Sequence, residues 1–236
     1  MSWLWIGLAW AIGTGMGPVA MAAEPAPEAA PAASIATYHL DPETSRLMVV
    51  VYNDTRTMAS GFAHDHAIQA MDFDGTVTWS QGDLSRCQVD IGLAVSALWV
   101  DPPGARDIAR IDPDNTVGDS AKHTIVSNIE SKAQLWASKF PRIQYRSTGC
   151  EAQGDAVAVS GDLTIRGVTK HITVPMHVSV HDGTFHAQGS FASKETDFGF
   201  DPFSNLMGAI RYQDEMKFII DVKGKAVADP AEASAD

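Results

Sequence analysis

Cysteine, positive charge and recognisable nucleophiles are what this chain has least of. Only two of its 236 residues are cysteines, Cys87 and Cys150, which leaves no C-x-x-C redox pair and no four-cysteine zinc site. Lys and Arg number 17 against 29 Asp and Glu, a formal charge of −12 that argues against nucleic acid or an anionic lipid surface as partner. There is no G-x-S-x-G elbow and no H-E-x-x-H pair, and no glycine loop leads from strand to helix as a phosphate cradle requires. Asp197-Phe198-Gly199 stands without any other kinase signature. The expectation is a protein that is not an enzyme.

What is present is apolar. Hydrophobic residues make up 45% of the chain and charged ones 19%, enough for one good-sized core and cramped for two. Residues 1–22 carry no charged side chain, hold an apolar segment from Trp3 to Ile12 and end in Ala20-Met21-Ala22, a small-x-small cleavage site. They read as a secretory signal peptide, with an uncleaved anchor as the alternative because the n-region lacks Lys and Arg. Residues 23–36 read as a Pro/Ala-rich disordered spacer, 37–226 as the folded domain and 227–236 as a disordered tail. In an exported protein an even pair of cysteines is expected to be a disulfide, here Cys87 with Cys150, at the ends of two predicted strands.

Three consecutive strands are predicted between Phe140 and Val180. Ile143 and Tyr145 alternate with Gln144 and Arg146, Val157, Val159, Leu163 and Ile165 share the next phase, and Ile172, Val174, Met176, Val178 and Val180 the one after. Further strands are expected at Leu47 to Tyr52, Phe62 to Ile68, Gly75 to Trp79, Cys87 to Val95, Thr184 to Phe191 and Glu215 to Lys223, with Asp182-Gly183 as a hairpin turn. One helix is expected from Ser120 or Thr124 to Trp136, stopped by Pro141. Trp99 to Asp119, with three prolines, reads as a long surface loop holding at most one helical turn near Ala105 to Ile111. About eight antiparallel strands, each with one apolar face, suit a closed barrel better than a sandwich, although alternation alone fits both. An eight-stranded barrel has room for packed side chains or for one small ligand.

Two segments go further. Phe140-Pro141-Arg142-Ile143-Gln144-Tyr145-Arg146-Ser147, followed by Ser160-Gly161-Asp162-Leu163-Thr164-Ile165-Arg166-Gly167-Val168-Thr169-Lys170, resembles the YceI-like family. Phe62-Ala63-His64-Asp65-His66-Ala67-Ile68 is similar to the HxH element of one of its subgroups, and Asp197-Phe198-Gly199 to its late DFG element; the likeness covers roughly Tyr38 to Gly224. The resemblance implies a mainly β protein with a single extended, lipocalin-like antiparallel barrel. It also implies a periplasmic or secreted location and a lumen that binds a long amphiphile such as a polyisoprenoid.

His64 and His66 are the sharpest polar feature, since i and i+2 on a strand point the same way. They fit a hydrogen-bonded structural role, donors to a lipid head group, or two ligands of a metal completed by His39, Asp65 or Asp72. The head-group role is assigned to them here, and the tail is expected against Trp79, Tyr145, Leu163, Ile165, Val174, Met176, Phe185 and Phe218. Asp162, Arg166 and Lys170 are expected to be solvated charges or to pair with each other rather than to position an anionic head group, and His177, His181 and His186 to lie outside around the Asp182-Gly183 turn. The expected function is an exported carrier of an isoprenoid or other long-chain lipid. It needs no cofactor, binds no nucleic acid and has no membrane span once the signal is removed. A metal- or redox-linked protein using His64 and His66, or an enzyme acting on the bound lipid, are the alternatives.

Overall fold

The computed structural model describes residues 35–227, so the expected signal segment, all of the spacer before Ile35 and the tail beyond Val227 lie outside the described residues. The spacer boundary moves: Ile35 and Ala36 already belong to the first strand.

Among the described residues twelve strands join in antiparallel order, and several continue one another. β1 (Ile35–Leu40) and β2 (Arg46–Asn53) run in one direction along β12 (Ile210–Ala226). β3 (His66–Ala70) and β4 (Asp74–Ser80) follow them, and β5 (Gln88–Ala94) and β6 (Leu98–Val100) follow these. After β7 (Arg142–Gln153), β8 (Ala156–Ile165), β9 (Val168–His181) and β10 (Thr184–Lys194), β12 pairs with β10 on one edge and with β2 and β1 on the other. Counting each broken pair once gives a closed antiparallel barrel of eight staves; β11 (Ser204–Asn205) only adds a short bridge to β12.

The break between β1 and β2 is satisfied locally. Asp41 accepts from the Glu43 N–H (2.9 Å) and the Thr44 hydroxyl (2.9 Å), while the Ser45 hydroxyl accepts from the Lys223 N–H (2.9 Å) and donates to the Lys223 carbonyl (3.2 Å). No ladder group is therefore left bare where the strand bends. Two of the hairpins turn on Arg166-Gly167 (φ 52° and 74°) and Asp182-Gly183 (φ 49° and 70°). Positive φ at both central positions is the turn whose twist matches the flanking strands, and glycine at the second position relieves half the strain.

The two ends of the barrel differ. One carries the β7–β8 and β9–β10 hairpins and an aromatic cluster in which Phe185 meets Tyr38 (ring centroids 5.3 Å apart) and Trp79 (6.0 Å), while the Arg166-Gly167 turn lies at the opposite end. The other carries the long connections 54–65, 101–141 and 195–209, with α1 (Ala105–Ala109) and α2 (Asp119–Glu130). The helix is shorter than expected, ending at Glu130, after which turns bring Leu135 into the core.

Two expectations need correction. Phe62 to Ile68 is not one strand: residues Ser60–Phe62 form a single helical turn, β3 begins only at His66, and Phe62 is 82% exposed. Trp99 to Asp119 is not simply a surface loop either. Its Ala105, Ala109 and Ile111 pack on Met48, Val50 and Ala67 from the outer face of β2 and β3. The run Leu47 to Tyr52 is apolar at every position, so both of its faces need cover, and α1 supplies the outer one.

Cys87, just before β5, is bonded to Cys150 on the neighbouring β7 across a separation of 63 residues. Closing a loop of that length stabilises the fold by about 4 kcal/mol on the chain-entropy account. Replacing both cysteines by serine is expected to lower unfolding free energy by about that amount, read from the urea midpoint against the oxidised protein.

Candidate functional site

The inward residues of the staves enclose a cavity of ≈ 220 Å³. Its wall follows β10 from Phe185 through Ala187 and Phe191 to Glu195, and β12 from Val222 back to Met216. At about 3.3 Å per residue and a strand tilt of about 40°, the span from Phe185 to Glu195 is about 25 Å along the barrel axis. A void of this volume spread over such a length is one chain wide.

Trp79, Tyr145, Leu163, Ile165, Val174, Met176, Phe185 and Phe218 all line this cavity. Phe218 stacks on Phe191 of the adjacent strand, with ring centroids 4.5 Å apart, and so forms a flat stretch of wall. Tyr145 donates weakly to the Val159 carbonyl (3.4 Å), and burial, with the Asp162 charge behind it, pushes its hydroxyl up to about 12. It is a neutral group in a dry wall.

His64 and His66 are elsewhere, and the head-group role assigned to them does not fit the geometry. Neither lines the cavity. His66 is 2% exposed, its Nδ1 is 2.8 Å from Asp101 Oδ2, and Tyr212 stacks on its ring. Asp101 also accepts from the Ala67 N–H (2.8 Å) and from Arg106 Nη1 (3.0 Å), and Arg106 in turn donates to the carbonyls of Asp65 (2.6 Å) and Asp112 (2.8 Å). Burial alone raises the Asp101 carboxyl, but the His66 and Ala67 hydrogen bonds, together with the charges of His66 and Arg106, outweigh it and hold it below the ordinary value. Burial pushes the Tyr212 hydroxyl up to about 12, and that hydroxyl donates to the His64 carbonyl (2.9 Å). His64 itself lies ahead of β3 and meets Asn115 (2.6 Å). The network ties β3, α1 and the 54–65 loop together, which is the structural role for the pair. Among the described residues no group of three His, Cys, Asp or Glu side chains is placed to hold a metal ion.

The other charges also find structural partners. Arg166 donates to the carbonyls of Gly199 and of Lys132 (3.0 Å), tying the segment after α2 to the 195–209 loop, while Asp162 pairs with His171 (2.9 Å) and Asp221 with His186 (2.7 Å).

Sequence reasoning passed over two polar residues that do line the cavity, Gln134 and Glu195. Glu195 is 4% exposed and its Oε2 has no hydrogen-bond partner. Burial, reinforced by the Asp214 charge, pushes its carboxyl up to about 8, so it is protonated at neutral pH. The one available signal was its place at the end of β10 in phase with Phe185, Ala187 and Phe191, a charged residue continuing an apolar face.

The YceI-like domain matches residues 38–224. The chain belongs to the YceI-like family. Among its relatives, a UPF0312 protein of Pseudomonas putida is 28% identical over 142 residues, 60% of this chain and 61% of the relative, and the protein YceI of Salmonella arizonae is 27% identical over 103 residues, 44% of each chain. The chain thus spans about three-fifths of the length of the curated relatives it matches most extensively. Crystallised BcnA of Burkholderia cenocepacia has the same fold at 16% identity (TM-score 0.57, covering 78% of this chain and 98% of BcnA). So does a cysteine variant of the Campylobacter jejuni YceI protein at 14% (TM-score 0.51, covering 69% and 85%). These likenesses agree with the closed antiparallel barrel of this YceI-like chain.

Two outcomes follow from this geometry. Asp101→Ala leaves a buried guanidinium unpaired and is expected to cost about 3–5 kcal/mol in urea unfolding, whereas His64→Ala, at the surface, costs less than about 1 kcal/mol. For Glu195 the folded value of about 8 lies above the ordinary 4.5, so the folded protein keeps a proton that the unfolded chain releases. Its contribution to stability is full below about pH 4.5 and is lost as the pH rises to about 8. Glu195→Gln is expected to flatten that decline by a few kcal/mol, visible as a smaller fall in Tm between pH 5 and 8.

Proposed function

We propose that this YceI-like protein is an exported carrier that holds a long-chain lipid, isoprenoid or fatty, in its barrel lumen. The observation that carries this reading is a narrow cavity, about one chain wide and walled almost wholly by aliphatic and aromatic side chains. Each methylene buried gains about 0.8 kcal/mol, so a buried chain of about ten gains about 8 kcal/mol, comparable with the cost of ordering it, and every further methylene adds to affinity. The nearest approach to a catalytic pair, His66 with Asp101, is sealed in (3% and 1% side-chain exposure) and turned to Arg106 and Tyr212 rather than to the lumen. A binding role therefore accounts for the site better than a reaction. The apolar leader at residues 1–22 and the Cys87–Cys150 bond both suit an oxidising periplasmic or extracellular compartment.

Native mass spectrometry of the purified protein, followed by organic extraction, tests the proposal. A co-purifying long-chain lipid supports it; an empty barrel that takes up none from added lipid overturns it. Ala187→Trp, which sets an indole across the lumen, is expected to cut lipid binding about tenfold or more while the far-ultraviolet spectrum stays that of a β protein, since losing two methylenes of burial already costs about 1.6 kcal/mol.

A further inference from the structure

The cavity wall holds no Lys, Arg or His among the described residues, and Gln134 and Glu195 are its polar side chains apart from Tyr145 and Trp79. Both stand at the loop-covered end, opposite the aromatic cluster. Gln134 is anchored there by donating to the Asp201 carbonyl (3.0 Å). Glu195 is fixed through its backbone. Its N–H donates to the Asp214 carbonyl (2.9 Å), and the next residue, Thr196, holds the Asp214 carboxylate with its N–H (3.0 Å) and its hydroxyl (2.7 Å). Phe198, fully buried, closes the same turn. The Glu195 backbone is therefore fixed, and its carboxyl lies at the wall with Oε2 buried and unpartnered. A buried polar atom left without a partner is destabilising, and a complementary ligand atom would recover that cost.

The charges around it decide which ligand atom. Asp214 lies close behind it, its carboxylate held by Thr196. On the wall itself an anionic head group meets the Glu195 carboxyl and no Lys, Arg or His, since Arg166, behind Phe200, and Arg106 are taken up by backbone carbonyls and Asp101, and a buried unpaired charge is strongly disfavoured. An uncharged oxygen acceptor meets an acid O–H.

We propose that the Glu195 carboxyl is the head-group contact of the lumen, donating a hydrogen bond to an uncharged carbonyl oxygen of an ester, amide or ketone and selecting against chains that end in phosphate or carboxylate. This rests on the carrier reading above and goes beyond it by naming the residue and the chemical class of the lipid end.

The test uses lipid-stripped protein and four chain-matched probes, a methyl ester, a primary amide, a carboxylate and a phosphate monoester, titrated at pH 7 by tryptophan fluorescence. The ester and amide are expected to bind about tenfold or more tightly than the two anions. Glu195→Gln keeps a donor and retains that ranking. Glu195→Leu keeps the wall apolar and brings the ester and amide down to the affinity of a plain alkane of the same length. If no probe binds, the carrier reading itself fails. If all four bind alike, or if Glu195→Leu leaves the ranking intact, the carrier stands and the head-group assignment is overturned.

Discussion

Closure of the sheet through β12 is the constraint on which the rest of this structure depends. Its seventeen residues are long enough to pair along one edge with β10 and along the other with β2 and then β1. That double pairing removes the last open edge, and an open edge beside an apolar face is an invitation to aggregate. It also converts a period-two alternation into an inside and an outside. Met216, Phe218, Ile220 and Val222 run along the lumen from the loop end towards the hairpin end, and each neighbouring stave contributes its own inward row.

Once the ring is closed, polarity has few places to go. The wall excludes cations, and the buried ionic groups collect in the loop-covered end, where His66, Asp101 and Arg106 satisfy one another and several backbone carbonyls. Pairing makes that cluster tolerable at a place where a lone charge would not be. Glu195 is the exception, a carboxyl on the cavity wall whose proton replaces a missing partner. The same physics that makes the lumen fit for a hydrocarbon chain makes this one acid stand out.

Much of the wall was legible in the sequence. The rows Ile143-Tyr145, Val159-Leu163-Ile165 and Val174-Met176 were phased correctly because side-chain alternation is a local property of an extended chain, and the Asp182-Gly183 turn because its chemistry is local too. The errors came where contact is distant. His64 and His66 were read as strand residues facing the lumen, but only His66 is in β3, the two rings, 6.2 Å apart, lie off the cavity, and the Asp101 and Arg106 that claim His66 come from a segment read as solvent loop. Glu195 was overlooked because a single charge at a strand end is ordinarily solvated; only its burial gives it significance.

By itself, then, the sequence determined the kind of strand, its inward face, its tight turns and its kinship with the YceI-like family, since these follow from short-range alternation and from motifs such as LTIRGVTK. The tertiary structure alone decided that Tyr38 lies against Ala226 to close the ring, that α1 covers the outer face of β2, and which acid faces the cavity. Those outcomes depend on contacts between residues far apart in the chain, and a period of two carries no information about which distant segment will lie against which face.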